Sequence, residues 1–160
     1  MNRKRNRRNT GAIYVETLIT LPIVIYFGLI TWQLIDLAIA GYIVKHAAIC
    51  AARAAAVIGP DSTRFYGGQA QGDLTGGQRL ADVQDATWRA LQAHKHFTKG
   101  GFTVTLGGSQ TVGGMIDATV SADYPCAVAG LNAVCLGSSV HTITVTEKFP
   151  YQAANVNWED

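Results

Sequence analysis

An uncharged run of nineteen residues, Thr17 to Ile35, restricts what this chain can become more than any other feature. As a helix it is about 28 Å long, close to the ~30 Å hydrocarbon thickness of a bilayer. Asp36 interrupts it, and Leu37 to Val44 is uncharged again. Such a stretch needs lipid or an equally dry helical bundle around it, since a helix that is apolar all round belongs in one or the other. Residues 1–10, ahead of it, carry Arg3, Lys4, Arg5, Arg7 and Arg8 and no acid. Lys and Arg concentrate on the cytoplasmic flank of membrane helices, so the N-terminus is expected inside and the rest beyond the membrane. A nucleic-acid-binding arm is the other reading of the tail. The formal charge of +2 does not favour it: from Ala12 onward there are eight bases against eleven acids, which is no polyanion-binding surface.

Three accounts of the span compete. Ala38-Ile39-Ala40 offers an A-x-A-like signal cleavage site, but a signal's apolar region is normally about 7–15 residues and this run is longer. A lipoprotein route is poorer, because Ile49 precedes Cys50 where a small residue is needed. The second account is a plain uncleaved anchor. The third is processing after Gly11, with Glu16 at the fifth position beyond it.

Gly11-Ala12-Ile13-Tyr14-Val15-Glu16, then Leu21-Pro22, then the Ala51-Ala52-Arg53-Ala54-Ala55-Ala56 stretch, resembles the TadE-like family, minor pilins or pseudopilins of tight-adherence (Tad) type IV pili. The likeness covers about the first third of the chain. Thr17 departs from the aromatic residue many members carry, and the leader is unusually arginine-rich. The resemblance implies cleavage between Gly11 and Ala12 by a prepilin peptidase in a bacterial inner membrane. It also implies assembly with other pilin and minor-pilin subunits on an inner-membrane pilus platform, with a role in priming, capping or regulating a pilus. A carboxylate within the bilayer costs roughly 2.5–3.5 kcal/mol and usually has a partner. Cleavage would supply one, the new ammonium on Ala12, and in pilins that pairing with a glutamate such as Glu16 sets subunit register. Pro22 is expected to bend the span gently. Asp36 is expected to contact a partner subunit or reach the outer headgroups.

Beyond the span, Ile43, Ala47, Cys50, Ala54 and Val57 recur at three- and four-residue spacing and continue the helix outward. One helix from residue 12 to 58, with its transmembrane half at about 17–36, ends at Gly59-Pro60. Small residues across Ala47–Ala56 permit close approach of another helix or a sheet. Residues 59–79 hold six glycines and no periodicity, which reads as a loop. Leu80, Val83, Thr87, Leu91 and His94 then share a face, predicting a second amphipathic helix over Ala81 to Phe97.

The pattern changes to alternation in the last third. Phe102, Val104 and Leu106, then Ile116 to Tyr124 at every second position, then Ile143 and Val145 describe three half-buried antiparallel strands. The fold class is α+β, pilin-like in outline: a basic leader (1–11), a long helix (12–58), a loop (59–79) and an extracytoplasmic head (80–160). Its loops 107–114 and 125–139 are expected to face partners or a target surface. Cys126 and Cys135 bracket the loop before the last strand, and in an oxidising compartment a disulfide is expected. Cys50 is expected to be a small buried hydrophobe.

His94 and His96 invite a metal reading, with His46 and His141 as distant companions. Two positions apart on a helix they diverge, and no Cys or acid completes a zinc-like spacing. No serine elbow, paired carboxylates or Cys–His arrangement stands out. Neither cofactor nor catalysis is expected.

Overall fold

The computed structural model describes residues 7–109, 113–126 and 138–151, with side chains on the first helix from Tyr14 onward. Its elements in order are helix α1 (Arg7–Ile58), a short 3-10 turn (Thr63–Tyr66), helix α2 (Gly77–Leu91), and strands β1 (Phe102–Gly108), β2 (Met115–Pro125) and β3 (Val140–Pro150). The strands form one antiparallel sheet in the order β1-β2-β3. The expected α+β architecture is therefore present, with a long apolar N-terminal helix, a second helix and a three-stranded sheet.

Helix α1 has 52 residues, about 78 Å, and is continuous through Gly11 and Pro22. It starts before the expected boundary at residue 12, so the Gly11–Ala12 bond lies inside the helix. Its environment divides it in two. From Tyr14 to Trp32 its side chains lie almost wholly in the open, Leu18 at 75% and Trp32 at 72% exposure. From Ala40 to Ala56 one side is sealed by the head: Ala40, Val44, Ala47, Ala48, Ala51, Ala52, Ala55 and Ala56 are all buried. That seam corrects the expected stripe, because Ile43, Cys50 and Ala54 are only half-buried and Val57 is exposed. The closest approach goes to the smallest side chains, which let the sheet lie near the helix backbone; a reading by apolar bulk selects the adjoining face.

Strand β2 supplies the facing layer. Ile116, Ala118, Val120, Ala122 and Tyr124 are fully buried, and the cross-strand pairs Val120–Val145 and Ala122–Ile143 extend that layer onto β3. The opposite face is polar, and its hydroxyls bond one another: Thr119 to Thr146 at 2.8 Å and Ser121 to Thr144 at 2.9 Å. The β1–β2 turn requires glycine at Gly108, where φ is +92° and a Cβ would stand 2.2 Å from the Met115 carbonyl oxygen.

Helix α2 differs from expectation at both ends. It begins at Gly77 and stops at Leu91, so His94, His96 and Phe97 lie beyond it. Its buried residues are Arg79, Val83, Thr87 and Leu91; Leu80, expected on that face, is half-buried. Trp88 stacks on Phe102 with centroids 5.9 Å apart and joins α2 to β1.

Residues 59–79 are ordered around Arg79, which has no exposed surface. Its Nη1 donates to the carbonyls of Ile58 and, at 3.2 Å, Gly59. Nη2 donates to those of Asp61 at 2.8 Å and Gln69 at 3.4 Å. The guanidinium lies 4.2 Å from the Tyr66 ring centroid. A helix leaves its last carbonyls unpaired and its C-terminus partly negative. α1 has no base in its last turn, and Arg79 supplies one from another element. Alpha1 ends there, with a Cβ on Gly59 placed 2.9 Å from both the Ala55 carbonyl and the Tyr151 ring.

Of the expected partner loops, residues 110–112 and 127–137 lie outside the described residues. Cys135 falls among them, and with it the expected bridge to Cys126. Cys50 is a free thiol, half-buried rather than buried.

Each buried carbonyl left without its donor costs roughly 1–3 kcal/mol. Arg79→Ala is expected to lower stability by about 2–4 kcal/mol, and Arg79→Lys by less, since an ammonium keeps the charge but not the planar fork. Denaturant unfolding of the full chain in detergent measures both. An alanine variant that unfolds at the wild-type midpoint would exclude this role.

Candidate functional site

Two regions of α1 hold the candidate side chains: the bare apolar segment with Glu16, and the neck where the helix enters the head. Glu16 is exposed on the bare segment, and among the described residues its carboxylate has no ion-pair partner. The Thr20 hydroxyl donates to the Glu16 carbonyl at 2.9 Å, and the Thr31 hydroxyl to the Phe27 carbonyl at 2.9 Å. These two hydroxyls are thereby satisfied within their own helix, which suits a segment without water. Gly11 and Ala12 lie in the helix, five and four residues before Glu16. Pro22 lies mid-segment without breaking the helix. The helix from Tyr14 on is long and apolar enough to cross a membrane.

The neck is built on Asp36. The Tyr124 hydroxyl, from the end of β2, donates to Asp36 Oδ2. His94 Nε2 lies 3.3 Å from Oδ1 and His96 Nε2 lies 3.6 Å from Oδ2. The backbone N–H of His96 points to His94 Nδ1 at 3.4 Å, an arrangement that favours the tautomer with its proton on Nε2, facing the carboxylate. The two imidazoles are 5.2 Å apart, and both pack against the Tyr124 ring. Gln33, one turn below, is 2% exposed, and its side chain lies beside the Tyr124 hydroxyl.

Within this chain Asp36 meets the head. His94 and His96 converge instead of diverging because α2 has already ended at Leu91, and the irregular chain turns both rings inward. Among the described residues no three such side chains are disposed to hold a metal ion. One signal for the cluster was present in the sequence: a lone acid closing an apolar run must find a partner. Arg79 had no comparable signal, because a base on an amphipathic helix normally faces water.

The head also has an open depression of 480 Å³ lined in part by Asp82, Asp85, Lys99 and Phe102. It holds no nucleophile beside a base. Comparison with protein-family models, characterised proteins and solved structures finds no match to this chain.

Burial, then the hydrogen bond to Asp36 and its charge, hold the Tyr124 phenol above its ordinary 10.0. Above pH 10 the unfolded chain therefore binds fewer protons than the folded one, and stability falls as pH rises. Tyr124→Phe is expected to lessen that alkaline decline, of which Tyr66 and Tyr151, also held up by burial, keep a share. At neutral pH it is expected to cost about 1.5–3 kcal/mol, the worth of a hydrogen bond to a charged group. Unfolding at pH 7 and across the alkaline range measures both, and a variant equal to wild type throughout would refute the assignment.

Proposed function

We propose that this chain is a minor pilin- or pseudopilin-like subunit that takes part in assembling, priming or capping a Tad-type (type IVc) pilus used in secretion or adhesion. The observation that carries this reading is the division of α1. One half is bare, apolar and of bilayer length; the other is sealed along an alanine seam beneath a small α+β head. That arrangement suits a subunit stored in a membrane and drawn, helix first, into a filament of like helices.

In this reading the basic leader stays in the cytoplasm and the head stands outside a bacterial inner membrane. A prepilin peptidase cuts after Gly11. The ammonium freed on Ala12 pairs with Glu16, within the subunit or on a neighbour, and fixes axial register. Glu16 is ready for this, being on the bare segment with no ion-pair partner among the described residues. Other pilin and minor-pilin subunits and the inner-membrane assembly platform are the partners. Nucleic acid, cofactor and catalysis have no part. A Cys126–Cys135 disulfide closes the loop before β3 and contributes roughly 2–3 kcal/mol in the chain-entropy model.

The second reading is an uncleaved single-pass protein that displays its head as a binding module. The continuity of α1 through the Gly11–Ala12 bond favours it, since a helical peptide bond must unwind to enter a protease.

The N-terminal residue and intact mass of the membrane-extracted protein separate the two. A start at Ala12 is expected, together with accumulation of precursor and loss of pili in Gly11→Ala. A start at Gly41 would indicate an ordinary secretory signal. An intact leader with normal pili in Gly11→Ala would leave the binding module as the account.

A further inference from the structure

We propose that lipid covers α1 about one turn higher on the side away from the head than on the side beneath it. The helix then crosses the bilayer leaning, with the head on its upper side. The proposal rests on the membrane placement of α1 given above, which both functional readings share, and it goes beyond them in naming lipid as the occupant of the far face.

In the sequence, Asp36 closes the uncharged run that begins at Thr17. In the fold, Tyr124, His94 and His96 hold its carboxylate against the base of the head. Gln33, Ala40 and Val44 are buried on that same side of the helix. The opposite side carries no charge at this height. Ile35, Ala38, Ile39 and Tyr42 follow at three- and four-residue spacing and so share one face. All four are exposed, Ile35 at 55%, Ile39 at 46% and Tyr42 at 76%. The face turns polar only at Lys45, which pairs with Glu147 at 3.8 Å, and at exposed His46.

On the far side, therefore, the uncharged surface continues past the height of Asp36 to Tyr42. From Thr17 to Ile39 it spans 23 residues, roughly 35 Å of helix, against ~30 Å of hydrocarbon. An apolar stretch longer than the hydrocarbon is accommodated by tilt, and membrane helices lean by about 0–40°. The asymmetry sets the direction. Leaning toward the far face submerges Ile35, Ala38 and Ile39 while the Asp36 side stays at the surface. Tyr42 then lies at headgroup level, where amphipathic aromatic rings collect, and Lys45 and His46 lie beyond it. The stripe is continuous with the bare segment below, so the bilayer around that segment covers it without any further component. Helix α1 is unbroken through this region, and the head leans with it.

The test places a nitroxide on single cysteines of the full chain, in a Cys50→Ser background, in phosphatidylethanolamine–phosphatidylglycerol vesicles. Collisions with oxygen, which gathers in hydrocarbon, are compared with collisions with a water-soluble nickel chelate. Val24→Cys, Ile39→Cys, His46→Cys and Lys95→Cys all label exposed positions, which leaves the packing of the head untouched. The Cys50→Ser chain taken through the same labelling controls for the other two cysteines. Ile39→Cys is expected to match Val24→Cys, with an oxygen-to-nickel ratio several-fold above that of His46→Cys. Lys95 lies between the two histidines that meet Asp36, lower along α1 than Ile39, yet Lys95→Cys is expected to match His46→Cys. Nickel access at Ile39→Cys, with Val24→Cys still oxygen-rich, overturns the lean and spares the membrane placement. An oxygen-rich Lys95→Cys also overturns it, because the boundary would be higher all round. Few collisions of either kind at Ile39→Cys would put a protein neighbour on that face, which overturns it as well. Nickel access at Val24→Cys overturns the membrane placement itself, and the lean with it.

Discussion

A guanidinium sealed from water beneath the end of a long helix holds this head together. Arg79 reaches back to four carbonyls, at Ile58, Gly59, Asp61 and Gln69. It thereby terminates α1, shapes the following loop and fixes where α2 begins. Breaking up such a buried charged hub leaves uncompensated polar groups, which is more costly than never having had them. The loop's glycine content would otherwise favour disorder. With Arg79 in place the loop has an interior of its own, in which Leu74 is 1% exposed and Tyr66 lies against the cation.

Much of this fold was legible in the sequence, and the exceptions share a cause. The three strands follow from strict alternation, and β2 buries all five of the residues read as inward-facing. Helix α1 follows from its uncharged run and the Gly59-Pro60 stop. Where the reading slipped, the deciding contacts were long-range. The buried seam of α1 is rotated from the expected stripe because the sheet selects for smallness, and an alanine carries little hydrophobic signal. Helix α2 was extended to Phe97 because His94 falls in phase with Leu91, although the structure spends that residue on Asp36, 58 positions earlier.

The site was legible in part for the same reason. Gly11, Glu16 and Pro22 are local signals, readable in one dimension. The neck is a tertiary object: Asp36, His94, His96 and Tyr124 come from three separate regions, and each has an ordinary local explanation. Arg79 is the extreme case, an arginine on an amphipathic helix that has no exposed surface.

The alanine seam has a mechanical consequence. A row of methyl groups presents few knobs, and Val44 is the one larger side chain among those sealed in it. Axial position is then held by contacts along its flanks and ends: Asp36 below, Lys45 to Glu147 at 3.8 Å and Arg53 over the Phe149 ring between, and the carbonyls gathered by Arg79 near Ile58 above. Asp36 and Ile58 stand about 33 Å apart along the helix. A pull on the apolar end of α1 loads the Asp36 contact first and the Arg79 contact last.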